Sequence, residues 1–164
     1  MKRKTIIILS VSLLVVLSVV ITILTFNGSS DFRNLSWGMS VDKVKKVESA
    51  PLIRESYDKL VYEMDNIEGV STTAYYNYNF YYNAENSRYE LWQATVGIDA
   101  VGFDNKLSKR IINAFEEKYG EATDYIQTTA KCEYLWETER TKIRIEQLSN
   151  YLMIEYTDNT NFSK

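Results

Sequence analysis

Apolar and polar residues alternate in six separate stretches between residues 59 and 157. Apolar side chains on every second position are typical of a strand that is buried on one face and solvated on the other. Short connections between the last three stretches suit antiparallel hairpins. The pattern therefore predicts an antiparallel sheet with the strands Lys59–Asp65, Thr73–Asn83, Arg88–Ile98, Lys131–Glu137, Thr141–Leu148 and Tyr151–Thr157.

Two other stretches carry the helical period instead. Ser40 is a favourable N-cap for a short helix, which should end near Ser49 because Pro51 disfavours helical geometry in the residue before it. Apolar residues then repeat every four positions over Asn105–Tyr119, and Gly120 stands where a helix commonly places a glycine after its last turn. We therefore expect one helix before the first three strands and one before the last three.

Residues 5–26 form an uncharged run in which 16 of 22 residues are Ile, Leu, Val or Phe, directly after the basic segment 2–4. A helix of this length reaches roughly 33 Å, which is enough to cross a hydrocarbon core of about 30 Å. Basic residues next to such a segment tend to stay in the cytoplasm. The run predicts a single-pass anchor in the cell membrane with an extracytoplasmic C-terminal part. A cleaved secretory signal is the alternative, and either interpretation exports residues 27–164.

Together these elements predict an α+β fold class: two helix-plus-three-strand repeats, preceded by an N-terminal transmembrane helix. The repeats would form one antiparallel sheet with both helices on one face and the other face open. The expected organisation is a cytoplasmic basic stub (1–4), a transmembrane anchor (5–26), a linker (27–35), an extracytoplasmic domain (36–157) and a flexible tail (158–164).

The composition of the chain narrows its chemistry. The net charge is −3, and the first 26 residues hold three basic and no acidic groups, which leaves 16 basic and 22 acidic groups, a net −6, on the exported part. Such a surface repels phosphate backbones, so nucleic acid is not an expected partner. The chain has no histidine, the commonest general base and zinc ligand, and Cys132 has no second cysteine to pair with. We expect no catalytic residue, cofactor or metal site.

One motif suggests a family. Residues 37–40, Trp-Gly-Met-Ser, with Val44 and Glu48 in the helix that follows, resemble the opening of a group of uncharacterised bacterial exported domains. Residues 115–120, Phe-Glu-Glu-Lys-Tyr-Gly, resemble the helix end that this group places before a Trp-bearing strand, here with Trp136. The helix-then-sheet order is also similar to the β-lactamase inhibitor protein and to small outer-membrane assembly lipoproteins, although the inhibitor's paired cysteines are absent. The resemblance implies a fold and no catalytic motif.

The open face of the predicted sheet is the candidate binding surface. In Thr73–Asn83 the even-numbered aromatic residues are expected in the core, as is Trp92, so the odd-numbered residues face away from the helices. Leu91 is expected among these outward residues. Tyr, Arg and Met are enriched in protein interfaces, which favours a docking surface on this face. The alternative is a solvated face with incidental tyrosines. The candidate partner-binding residues are Tyr75, Asn77, Asn79, Tyr81, Arg144, Tyr151 and Met153.

Three function hypotheses follow from these observations. The first is a membrane-anchored, extracytoplasmic protein-interaction module that binds an envelope or secreted partner of unknown identity through the open face, with the membrane contacted by residues 5–26. The second is an envelope glycan hydrolase that uses carboxylates. The third is a purely structural or self-associating envelope protein. Acidic residues that would serve the hydrolase are Glu63, Asp65, Glu133, Glu137 and Glu146.

Overall fold

A computed structural model describes residues 31–99 and 106–160. Two short helices are present there, α1 (Val41–Val47) and α2 (Lys106–Tyr119). The strands are β1 (Leu52–Ser56), β2 (Lys59–Ile67), β3 (Val70–Asn83), β4 (Arg88–Asp99), β5 (Asp124–Gln127), β6 (Lys131–Glu137), β7 (Thr141–Leu148) and β8 (Tyr151–Asp158). All eight belong to one sheet with the order β1-β2-β3-β4-β8-β7-β6-β5. Every neighbouring pair in this order is antiparallel.

The predicted fold class, with an N-terminal transmembrane helix and two helix-plus-three-strand repeats, is wrong. Four strands rather than three follow each helix, and the described chain is dominated by one continuous sheet of eight strands. Neither of the helices within residues 31–99 and 106–160 is long and apolar enough to cross a membrane. The predicted anchor, residues 5–26, lies outside the described residues, as does the basic stub.

The pattern of the sequence did not predict β1 and β5. These two strands form the edges of the sheet, and every residue in both of them is exposed. Alternating burial, the signal by which strands are found in a sequence, is therefore missing from both. Each is held by backbone pairing with a single neighbour, β2 or β6.

Aromatic side chains from different parts of the chain meet in the core, on the sheet face that carries the helices. The ring of Phe32 lies 5.9 Å from that of Tyr78 and 4.2 Å from that of Tyr156. From α2, Phe115 packs against Trp136 and Tyr156, with centroid distances of 5.7 and 6.1 Å. Each fully buried aromatic side chain contributes roughly 1.5–3 kcal/mol of transfer free energy. The aromatic cluster therefore fastens the helix and the N-terminal segment to the sheet.

The folded part extends past both ends of the predicted domain, residues 36–157. Phe32 and Leu35 lie in the predicted linker, yet their side chains are only 2% and 1% exposed. Asp158 lies in the predicted tail, but it is the last residue of β8 and is 1% exposed.

The Trp-Gly-Met-Ser segment is built into one end of the sheet. The indole N–H of Trp37 donates a hydrogen bond to Thr141 Oγ1 at the start of β7 (2.9 Å). Gly38 has a φ of +79°, a left-handed conformation that glycine adopts without steric cost, and its N–H donates to the Leu91 carbonyl in β4 (2.9 Å). The segment thus joins β4 to β7 before α1 begins.

A β-bulge in β4 changes which of its side chains face the core. Asn79 pairs with Gln93, whereas the next residue, Phe80, pairs with Leu91, so that Trp92 is the extra residue. An inserted residue reverses the alternation of side chains beyond it. Leu91, predicted on the open face, is therefore in the core with 0% exposure, while Trp92 is only partly buried.

Candidate functional site

The open face is the side of the sheet turned away from α1 and α2, and the strand registers place all seven candidate residues on it. Tyr75 pairs with Gly97, and Gly97 pairs with Met153 across β3, β4 and β8. The next row runs from Asn77 through Thr95 and Glu155 to Arg144 in β7. Asn79 and Tyr81 continue the outward positions of β3, and Tyr151 stands two residues before Met153 in β8.

Strands β6, β7 and β8 make one half of the open face, and its charged side chains pair with one another. Arg144 lies 3.4 Å from Glu146 and 3.3 Å from Glu155. Lys131 lies 2.6 Å from Glu133 and 3.9 Å from Glu146. Partly exposed ion pairs of this kind contribute about 0–1 kcal/mol each. The charges of this half are therefore paired with one another, and the candidate Arg144 already has two carboxylate partners.

Strands β3 and β4 make the other half, in which a group of uncharged polar side chains lies next to one buried carboxylate, Glu90, opposite Tyr81. Asn79 Nδ2 donates to Gln93 Oε1 (3.0 Å), and Asn77 Nδ2 lies 3.4 Å from the carbonyl of Thr95. Beside these amides, the side chain of Tyr75 is 49% exposed. Amide and phenol groups both donate and accept hydrogen bonds. We call Tyr75, Asn77, Asn79, Gln93 and Thr95 the neutral patch.

Gly97 forms a depression between the two halves, and Tyr151 covers it. A Cβ atom at this position would lie 2.5 Å from the hydroxyl oxygen of Tyr151 and 3.2 Å from its Cζ. The phenol ring therefore rests directly on the backbone of β4, an approach that only glycine permits here. Tyr75 and Met153 flank Gly97 on the neighbouring strands. These side chains make the apolar part of the open face, which adjoins the neutral patch.

Glu90 is a buried carboxylate beside Tyr81, and the sequence did not single it out. Glu90 is only 4% exposed. Oε2 accepts hydrogen bonds from Tyr81 Oη (3.3 Å) and Asn83 Nδ2 (2.7 Å), and Oε1 accepts from Asn86 Nδ2 and Arg88 Nε (both 2.8 Å). Burial alone would raise the pKa of Glu90, but the hydrogen bonds from Asn83, Arg88 and Asn86 outweigh it and lower that pKa. Glu90 thereby fixes the β3–β4 hairpin and the position of Tyr81.

Two acidic residues considered for catalysis, Glu63 and Asp65, line a groove of about 430 Å³ at the edge of β2. Glu48 also lines this groove, but its Oε2 accepts a hydrogen bond from Tyr78 Oη (2.7 Å) and lies 3.8 Å from Arg33 Nε. Burial and then the charge of Glu48 raise the pKa of Tyr78. Glu48 is therefore engaged in holding the end of α1 against β3. Within the described residues, no group of three or more His, Cys, Asp or Glu side chains is arranged to hold a metal ion.

Comparison with known proteins yields one weak structural likeness. No family model and no curated protein matches the chain. Among solved structures, the crystal structure of a DUF4309 family protein (YjgB) from Bacillus subtilis is similar with a TM-score of 0.39 and 10% identity, covering 73% of this chain and 78% of that chain. A likeness this weak carries no argument about function. The resemblance noted for residues 37–40 stays a prediction.

Proposed function

We propose that the protein is a protein-binding module whose binding surface is the open face of the sheet, centred on the neutral patch and Tyr151. The observation that supports this most is the division of the face. Strands β6, β7 and β8 carry charges that pair with one another, whereas the neutral patch on β3 and β4 offers a tyrosine, amides and a hydroxyl without charge. The cores of protein interfaces are depleted in charged residues and enriched in tyrosine. The neutral patch therefore has the composition of an interface core, and the charged half that of a rim.

The dimensions of the face suit one partner protein that covers both halves. Eight strands spaced about 4.8 Å apart, each about eight residues long at ~3.3 Å per residue, present roughly 1,000 Å². The half of the sheet formed by β1 to β4 presents only about 500 Å² by the same reckoning. A specific interface of standard size needs about 800 Å² from each partner. The neutral patch alone is too small, so the rim must take part in binding.

Hydrogen bonds among the patch residues prepare the surface for binding. The contact of Asn79 with Gln93 fixes the orientation of both amides before a partner arrives. The Tyr151 ring is likewise fixed before binding, in its case by close packing against Gly97. Preorganised side chains lose less conformational entropy on association. With export of residues 27–164 as part of the proposal, the expected partner is an envelope or secreted protein.

Photo-crosslinking in the full chain tests the proposal. A photoreactive residue at position 75 should attach one dominant protein in the cells that make it, whereas the same probe at Tyr57, which is 71% exposed in the β1–β2 turn, should not. With that partner purified, Tyr75→Ala should weaken binding at least about tenfold, which corresponds to a loss of about 1.4 kcal/mol in binding free energy. Tyr57→Ala is the matched control. Equal adducts at both positions, or equal affinities for both variants, would contradict the proposal; adducts only to the protein itself would favour self-association.

The hydrolase hypothesis has less support. Glu133 and Glu146 are directly opposite each other on β6 and β7, and Lys131 lies beside both of them. The hydrogen bond from Lys131 lowers the pKa of Glu133, although burial opposes this. A glycosidase needs a carboxyl with a raised pKa as its general acid. The ion pairs therefore weigh against this pair as an acid and base.

A further inference from the structure

A second concave site lies on the other face of the sheet, beside the edge strand β5. It is a cleft of about 440 Å³, within the size range of small-molecule sites. Its lining consists of two tyrosines, two glutamines, two threonines and one cysteine, so neither a carboxylate nor a basic side chain stands among these residues. We call it the β5 cleft. It shares no lining residue with the open face, so it is independent of the function proposed above.

Two tyrosines form an aromatic wall of the β5 cleft. Tyr125 on β5 and Tyr134 on β6 are directly opposite each other, with ring centroids 4.8 Å apart. The Tyr125 hydroxyl donates to Gln127 Oε1 (2.9 Å) and lies 3.7 Å from Cys132 Sγ. These contacts hold the Tyr125 ring in place although its side chain is 47% exposed. The Tyr125 ring is therefore both accessible and held in position, and the Tyr134 ring behind it is partly buried.

Hydrogen-bonding groups line the part of the cleft next to this wall. Gln127, Cys132 and Gln147 are consecutive partners across β5, β6 and β7. Gln147 is 2% exposed, and its Nε2 donates to Ser108 Oγ in α2 (3.0 Å), which orients the amide. Thr128 continues the row at the turn, where its Oγ1 accepts from the backbone N–H of Lys131 (3.0 Å). A row of amides and hydroxyls thus adjoins the exposed ring of Tyr125 and the partly buried ring of Tyr134.

We propose that the β5 cleft binds a neutral sugar ring. A sugar presents C–H groups on its flat side, which pack against aromatic rings, and hydroxyls at its edge, which both donate and accept hydrogen bonds. Tyr125 and Tyr134 supply the aromatic surface, and the amide of Gln127 supplies a group that can bond a hydroxyl either way. A charged ligand would find no opposite charge among the lining residues that the structure describes, so its entry would carry a considerable desolvation cost. The chemistry of the lining therefore selects a neutral, hydroxyl-rich ring.

Cys132 offers a direct readout of occupancy, because it is the only cysteine of the chain and lines the β5 cleft with 8% exposure. The rate at which N-ethylmaleimide alkylates Cys132 in the full chain is measured without sugar and in the presence of one sugar at a time. The sugars are glucose, N-acetylglucosamine, and their disaccharides maltose and chitobiose. We expect at least one of these sugars to slow alkylation several-fold in a saturable way. Preference for the disaccharide would indicate a polymer end as the source, and equal binding a free sugar. Glucuronate and glucose 6-phosphate should give no protection.

Variants separate stacking from other effects of the sugar. Tyr125→Ala should abolish protection, measured as the ratio of alkylation rates with and without sugar. Tyr125→Phe loses the hydroxyl contacts but keeps the ring against Tyr134, so it should retain at least part of the protection. Tyr75→Ala, on the open face, should leave protection unchanged, which keeps this test apart from that of the protein-binding surface. Three results would overturn the proposal: no neutral sugar protects Cys132 saturably, the anionic sugars protect it equally well, or sugar protects Cys132 in the Tyr125→Ala variant as well as in the wild type.

Discussion

Replacing Glu90 by glutamine tests whether this carboxylate organises the β3–β4 hairpin beneath Tyr81. Both of its oxygens are in use, Oε2 by Tyr81 and Asn83 and Oε1 by Asn86 and Arg88. Glutamine has nearly the same shape but only one acceptor oxygen, and its NH₂ group would face two of the four donors. Two donors therefore lose their acceptor, and the remaining two lose the charge of theirs.

The size of the effect follows from the number and exposure of these bonds. A hydrogen bond to a charged group contributes about 1.5–3 kcal/mol, so two lost bonds at the lower end would cost about 3 kcal/mol. Asn86 and Arg88 belong to exposed residues and can turn to water once released, which recovers part of that loss. We expect Glu90→Gln to lower the free energy of unfolding by about 2 kcal/mol near neutral pH.

The effect should depend on pH in a defined direction. The hydrogen bonds that lower the pKa of Glu90 in the folded protein, against the opposing effect of burial, are absent in the unfolded chain. A carboxyl with a lowered folded pKa contributes stability that is present above its unfolded pKa of about 4.3 and is lost as pH falls through the folded pKa. The difference between wild type and Glu90→Gln should thus be full at about pH 7 and much smaller at about pH 3.

Urea unfolding followed by tryptophan fluorescence measures this difference, since the chain contains three tryptophans. Glu85→Gln, an exposed acidic residue of the same hairpin, is the control and should change stability by less than about 0.5 kcal/mol. A Glu90→Gln variant as stable as the control at neutral pH would contradict this role of Glu90. A loss of stability as large in acid as at neutral pH would contradict it too.

Three further predictions concern residues around the core and the open face. Tyr78→Phe removes the donor to Glu48 (2.7 Å) and should cost about 1.5–3 kcal/mol in urea unfolding; a loss near zero would mean that the bond is replaced by water. Burial raises the pKa of both Tyr78 and Tyr156, so the stability that they provide is present below pH ~10 and is lost above it. Each tyrosine should lower the free energy of unfolding by about 1.4 kcal/mol per pH unit above that point. Urea midpoints that stay constant in strong alkali would contradict this. Gly97→Ala places a Cβ 2.5 Å from the Tyr151 hydroxyl, so the Tyr151 ring should move away from the sheet and react faster with tetranitromethane. The free energy of unfolding should change by less than about 1 kcal/mol. An unchanged rate of Tyr151 nitration would argue against this packing.

Local periodicity was sufficient to predict the helices and strands whose two faces differ in burial. Thr141–Leu148 and Lys131–Glu137 alternate between the core and the open face, and they form β7 and β6 with the predicted bounds. The helix predicted over Asn105–Tyr119 is α2, whose apolar stripe contacts the sheet through residues such as Phe115. The odd-numbered positions of β3 face away from the helices for the same reason.

The sequence alone determined which stretches are strands or helices and, in most strands, which side chains share a face, because each side chain's direction depends on its nearest chain neighbours. Tertiary structure decided what those neighbours could not specify. The exposed edge strand β5 exists because β6 offers it a backbone partner, and the bulge at Trp92 appears only when β4 is aligned with β3. Likewise, Gly97 meets Met153 across 56 residues of sequence, and Arg144 finds Glu155 on a neighbouring strand. Pairing between distant segments thus placed paired charges on one half of the open face and the neutral patch on the other, and no local pattern encodes that pairing.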